Sequence, residues 1–299
     1  MRHGRVGAAL RRRAAATLGA GPVGAVLRSR RARGAGAAPV PATNDVAVTF
    51  RWCQQRGVRT RPHYLWGTLL ASRVATALGL PRISVLELGV AGGNGLLALE
   101  RAAAAASAFS GVQIEVHGFD AGSGMPPPVD HRDLPWLIEP GWFEMDEAAL
   151  RARLRGARLW LGPVAETVAD FVRADPAPVG FIAFDLDYYS STIDSFALLE
   201  APAPLLLPRV VAYFDDVFGY GWTDFTGERA AIEDFNAAHA ERKIGKIHGL
   251  RFSLPESEQS LAWHEQMYLV HLFDHPQYRA PEGPLAEGWL AAHRLASGA

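Results

Sequence analysis

The sequence predicts one α/β domain, a mostly parallel seven-stranded sheet with helices on both faces and an antiparallel last strand. Three observations predict it. Short apolar runs alternate with helical stretches over residues 81–280. Those runs are apolar on both faces, as strands buried between two helical layers must be. A glycine-rich loop joins the first run to a helix, the place where open α/β sheets bind ligands.

In chain order, residues 1–40 come first, with nine arginines and neither acid nor lysine. Such a composition builds no core, so a basic disordered tail is expected. An export signal or an electrostatic contact with anionic partners are the other readings. Against the signal, Arg28, Arg30, Arg31 and Arg33 follow the apolar stretch Ala14–Leu27, where a cleavage region is small and uncharged. Residues 41–80 form a helical cap, with helices over Asp45–Gly57 and His63–Leu78. The second carries apolar spacing at Leu65, Leu69, Leu70, Val74 and Leu78 and ends at Gly79 and Pro81.

The main domain spans 81–280. Strands are expected at Ile83–Gly89, Val112–Asp120, Leu159–Leu161, Val179–Asp187 and Leu205–Asp215. Helices are expected at Gly95–Ala106, Ala165–Ala174, Ile193–Leu199 and Arg229–Arg242. The apolar runs Leu250–Leu254 and His264–Phe273 read as an antiparallel pair closing the sheet, and 281–299 as a tail.

Composition bounds the partners. Hydrophobic residues make up 49% and charged residues 20% of 299, which are globular values. The net charge of −1 hides an acidic body, because 21 basic residues face 31 acidic ones once the arm is set aside. That argues against nucleic acid as a partner. No apolar run approaches the ~20 residues of a membrane span, so no membrane partner is expected. Cys53 is the single cysteine and makes neither an internal disulfide nor a zinc site, which favours a reducing, cytoplasmic setting. Nothing in the chain sets the oligomeric state, and a homo-oligomer stays open.

The strongest motif is Val85-Leu-Glu-Leu-Gly-Val-Ala-Gly-Gly-Asn-Gly95, with the skeleton Glu87-x-Gly89-x-x-x-Gly93-x-Gly95 between a strand and a helix. Glycines let the backbone turn tightly and approach a ligand, with a helix N-terminus behind them. The spacing is not the dinucleotide fingerprint G-x-G-x-x-G. Asn94 reads as the helix N-cap. Strand two ends at Asp120, either an acceptor for a ribose diol or an Asx-turn before Gly122. After strand three, Glu166 and Thr167 either approach the ligand or cap a helix.

A second constellation is Phe184-Asp185-Leu-Asp187-Tyr-Tyr-Ser-Ser-Thr192 with Tyr213-Phe-Asp215-Asp216. Asp185 and Asp187 share a side if their strand persists, and Asp215 and Asp216 form a turn facing them. Carboxylates gathered this closely repel unless a cation joins them. A hard divalent ion such as Mg²⁺ fits an oxygen-only donor set and lowers the pKa of a bound acceptor hydroxyl. The competing reading has one or two of these acids capping helices or binding backbone amides.

The loop resembles motif I of class I S-adenosylmethionine methyltransferases. Together with Gly118-Phe-Asp-Ala-Gly-Ser-Gly-Met-Pro126 and both acidic runs, it resembles the macrocin O-methyltransferase family over about residues 60–275. The resemblance implies a Rossmann-like fold, S-adenosylmethionine as donor, and a hydroxylated small-molecule acceptor such as a sugar of secondary metabolism. It places Glu87 near the methionine ammonium. It also implies Mg²⁺ held by Asp185 or Asp187 with Asp215 and Asp216, and the catechol-type pattern favours Asp185. The lysine base of that pattern falls at Tyr188 here, which leaves the base unassigned. Asp185 and Asp187 are the candidate catalytic residues.

His264 and His271 lie in late strands and receive no role. Trp136, Trp142 and Phe143, in a Pro-rich stretch between strands two and three, either cover the acceptor or pack their loop. Two other function classes compete: a nicotinamide-dependent oxidoreductase, against which the absent G-x-G-x-x-G speaks, and a non-catalytic binding module.

Overall fold

A computed structural model describes residues 45–281. The expected arm over 1–40 and nearly all of the tail over 281–299 lie outside the described residues. Helix α1 (Val46–Gln55) opens under an Asp45 cap, whose carboxylate accepts from Ala47 N at 2.8 Å. Helix α2 (Pro62–Ala77) starts with proline in its first turn. There follow β1 (Arg82–Leu88), α3 (Asn94–Ser110), β2 (Gln113–Asp120), the short α4 (Glu147–Arg151), β3 (Arg158–Leu161) and α5 (Val164–Arg173). The chain continues through β4 (Val179–Phe184), α6 (Tyr189–Ser195), β5 (Leu206–Phe214), α7 (Gly227–Ala238), β6 (Arg242–Lys246) and β7 (Met267–Leu272).

The seven strands lie in the order β3-β2-β1-β4-β5-β7-β6. Neighbours from β3 to β5 run parallel, and β7 runs antiparallel to both β5 and β6. This is the Rossmann-like fold with an antiparallel last strand that the pattern predicts. Chain reversal after β1, where β2 and β4 flank it, creates the switch point at which such sheets bind ligands. All six residues of β4 are buried. Helices α2 and α3 pack together against β1, β2, β4 and β5, while α5, α6 and α7 form a second contiguous row. Gly67 brings α2 onto the sheet, since a Cβ there would lie 2.2 Å from the Phe181 ring.

Several boundaries differ from expectation, and the helix expected over Arg229–Arg242 stops at Ala238. The outer strand β6 is Arg242–Lys246, and Leu250–Leu254 is no strand. Gly249 at φ +72° and Pro255 confine that apolar run to a 3-10 turn over Leu250–Ser253. The fourth strand stops at Phe184, short of the expected Asp187. Among the described residues no helix is long and apolar enough to cross a membrane.

Candidate active site

Register aligns four strand ends along one rim. Leu88 pairs with Phe119 on one side and Phe184 on the other, and Phe184 pairs with Phe214. The residues that follow them are Gly89, Asp120, Asp185 and Asp215. A cavity of about 860 Å³ opens there, and its walls include Gly89, Gly93, Gly95, Asp120, Asp185, Asp187, Asp215 and Asp216. Pockets of ~300–1,000 Å³ hold drug-sized ligands.

The glycine loop is closed by the chain's own atoms as well as open to the cavity. Gly89 has φ +89°, and a Cβ there would sit 1.8 Å from the Asp185 carbonyl oxygen. A Cβ on Gly95 would sit 1.7 Å from Glu87 Oε1. Helix α3 begins at Asn94, with Gly93 at φ +78° as its N-cap. Asn94 is therefore not the cap, and its side-chain oxygen accepts instead from Arg153 Nη2 at 3.1 Å.

Asp120 makes the expected Asx-turn and also holds the glycine loop. Its Oδ1 accepts from Gly122 N at 2.6 Å, which is the Asx-turn. Its Oδ2 accepts from Val90 N and Ala91 N, each at 2.8 Å, which pins the glycine loop to β2. The side chain still lines the cavity.

Glu87 and Glu166 do not line it. Glu87 is only 1% exposed beneath Gly95, and its Oε1 accepts from the Tyr64 hydroxyl at 2.6 Å. Its Oε2 has no hydrogen-bond partner, and burial pushes the carboxyl up to about 8. Glu166 is exposed in the first turn of α5, while Gly162, Pro163 and Val164 of the same segment form the wall. Thr167 caps no helix end; its hydroxyl donates back to the Pro163 and Val164 carbonyls within the helix.

The acids converge at the other end of the cavity. Asp185, Asp215 and Asp216 each bring a carboxylate oxygen within 4.8 Å of the others. Because β4 has already ended, Asp187 does not share a strand face with Asp185. It sits at φ +58°, and its side chain lines the cavity. Burial, followed by repulsion from Asp215, pushes Asp185 up to about 7 and Asp187 up to about 6. Burial and the facing Glu228 hold Asp216 well above the carboxylate range, and its Oδ2 is buried without a partner. A buried, unpartnered carboxylate oxygen beside two more oxygens is a donor set suited to a hard cation.

Two residues escaped sequence reasoning. Glu228, fully buried at the start of α7, accepts from Leu186 N at 3.3 Å and Asp216 N at 3.0 Å. It thereby fastens the β4 loop to the β5 loop. In sequence it reads only as an acid favouring a helix N-terminus. Arg61, the N-cap residue of α2, reaches Asp185 at 3.5 Å. Only the proline after it marked the position.

Other expectations settle locally. Tyr188, at the position of the lysine base, is buried with Leu134 and Ile138 and lies off the cavity wall. His264 Nε2 contacts the Gln259 carbonyl at 3.3 Å and His271 Nδ1 the Tyr278 hydroxyl at 2.8 Å, so both have structural partners. Of the three aromatics before β3, Phe143 lines the cavity, whereas Trp136 and Trp142 do not.

No protein-family model and no curated protein matches the chain. Among solved structures, the calicheamicin methyltransferase CalS11 is 20% identical, over 63% of this chain and 83% of that one, with a TM-score of 0.45. The O-methyltransferase NovP is 16% identical, over 58% of this chain and 70% of that one, with a TM-score of 0.45. The mycinamycin-pathway methyltransferase MycE, solved with Mg and SAH, is 17% identical, over 76% of this chain and 53% of that one, with a TM-score of 0.35. Likeness this distant carries no argument. The fold rests on the strand order, and the function on the site.

Proposed function

We propose that this chain is an S-adenosylmethionine-dependent O-methyltransferase, Mg²⁺-assisted, that acts on a hydroxyl of a sugar or another small metabolite. One observation carries the reading: the glycine loop and the three converging carboxylates face the same cavity. A donor held by the loop and a cation held by the acids would share this cavity with an acceptor hydroxyl, the proximity that methyl transfer needs.

The residues fit both groups. Gly89, Gly93 and Gly95 hold a close, tight turn at the start of α3, whose amides favour a polar ligand end. Asp120 borders the same wall, with about one lone-pair site remaining for a ribose hydroxyl. Asp185, Asp215 and Asp216 would hold the cation. When bound, the donor supplies an electrophilic methyl and the cation lowers the pKa of the acceptor hydroxyl.

The remaining steps belong to the chain. Asp187 lines the cavity but stands outside the converging trio, so we assign it the hydroxyl proton. Asp185 orients the acceptor oxygen toward the loop. Phe143, Met125 and Pro126 supply apolar surface on the cavity wall for the acceptor. Nucleotide-dependent hydride transfer finds no counterpart, because the loop departs from the dinucleotide spacing.

Turnover of methyl-labelled donor against a panel of hydroxylated metabolites tests the reading. Label transfer that falls when chelator is added supports it. Absence of donor binding at millimolar concentration defeats it.

A further inference from the structure

The cavity has an unbalanced charge. Six carboxylates line it: Asp120, Asp185, Asp187, Asp194, Asp215 and Asp216. Among the described residues, Arg61 is the only basic side chain on its wall. That guanidinium sits where the glycine loop and the acid trio meet, close to Asp185, Tyr64 and the buried Glu87.

Its placement is costly. Arg61 caps α2 with φ +49° and makes no side-chain capping bond. Left-handed backbone disfavours a residue with a Cβ by ~1 kcal/mol or more, and a following proline restricts it further. Strain of this kind persists where the surrounding structure holds it, and it clusters at ligand sites. The return in internal bonding is small. Nη1 lies 3.4 Å from the Tyr64 hydroxyl and 3.5 Å from Asp185 Oδ2. Charge-assisted N–H···O bonds run at ~2.7–2.9 Å, so neither contact is a full ion-pair bond. The group also stands over the Tyr64 ring, 5.2 Å from its centroid, which fixes its direction.

The methionine half of the donor is a zwitterion. An acidic cavity attracts its ammonium and sulfonium but repels its α-carboxylate, which needs a cation. A planar guanidinium meets a carboxylate with two parallel bonds. We propose that Arg61 binds the α-carboxylate of the methyl donor. This rests on the methyltransferase reading above and names the group that sets the polarity of the bound donor.

The test is calorimetric titration of the full chain in EDTA with S-adenosylmethionine and with its decarboxylated analogue, which keeps the amine and sulfonium. In Arg61→Gln, affinity for S-adenosylmethionine falls at least tenfold while affinity for the analogue stays within twofold. Arg61→Lys, which keeps the charge without the fork, falls between the two. Binding of the analogue shows that each variant is folded. Equal loss for both ligands, or loss for neither, overturns the assignment of Arg61 and leaves the methyltransferase reading standing. If the unaltered chain binds neither ligand, the reading itself fails and the assignment falls with it.

Discussion

Phe184 and Phe214 are directly paired across β4 and β5, and their rings stack with centroids 4.4 Å apart and planes 4° from parallel. Asp185 and Asp215 are the residues that follow these strand ends. The apolar stack therefore sets the spacing of the acids above it, and Phe196 and Tyr268 hold it edge-on. Buried aromatic pairs contribute ~0.5–1.5 kcal/mol beyond their area, so carboxylates that repel one another are held together by the core beneath them.

The acid loops have a second fastening in Glu228, and its removal has a clear sign. Glu228→Ala leaves the partly buried amides of Leu186 and Asp216 without their shared acceptor. Each unsatisfied buried group costs about 1–3 kcal/mol. For two partly buried amides the low end applies, so chemical denaturation is expected to show a loss of ~2 kcal/mol, with weaker Mn²⁺ binding in calorimetry. Unchanged stability contradicts the tie.

Gly89 has no room for a side chain. Gly89→Ala places a Cβ against the Asp185 carbonyl oxygen at a positive φ. The loop must then move away from β4, and donor affinity is expected to fall more than tenfold by calorimetry. The contrast is Gly92→Ala, where a Cβ meets nothing within 4 Å. That variant keeps the fold, and its thermal midpoint stays near that of the unaltered protein.

Removing one acid separates cation from donor. Asp215→Asn takes a charged oxygen out of the converging trio while leaving the glycine loop untouched. Chelator-sensitive turnover is expected to drop at least a hundredfold, with donor affinity within threefold of the starting value. Parallel loss of both would place Asp215 in the donor site and not beside it.

Stability also depends on pH through Glu87. Burial raises this carboxyl from 4.5 to about 8 in the folded state, so the folded chain holds a proton that the unfolded chain releases. Its stabilising effect is complete below about 4.5 and is lost as pH rises through about 8. The slope per group is at most about 1.4 kcal/mol per pH unit. Glu87→Gln, neutral throughout, is expected to flatten the fall of the thermal midpoint between pH 5 and pH 8. An unchanged profile in the variant would assign the slope to other groups.

Much of this architecture is legible in the chain because apolar strands and their terminal acids are local signals. Phe184-Asp185 and Phe214-Asp215 both announce a buried strand meeting a polar rim. The glycine loop is legible for the same reason. Strand β6 is not, because Arg-Lys-Ile-Gly-Lys buries only Ile244 at the sheet edge, and charge conceals an edge strand. The apolar run hides where β4 ends, since the chain leaves the sheet after Phe184 and turns left-handed at Asp187. Arg61, Tyr64 and Glu228 act only through contacts between distant segments, and no periodicity carries such contacts.

The central claim is that donor and cation share one cavity, and paramagnetic relaxation tests it most directly. Mn²⁺ is added to the full chain with S-adenosylhomocysteine, and relaxation of the ligand's protons is followed by NMR. The account predicts strong broadening of the protons flanking sulfur that disappears in Asp215→Asn. Bound ligand whose protons are indifferent to the ion would contradict it.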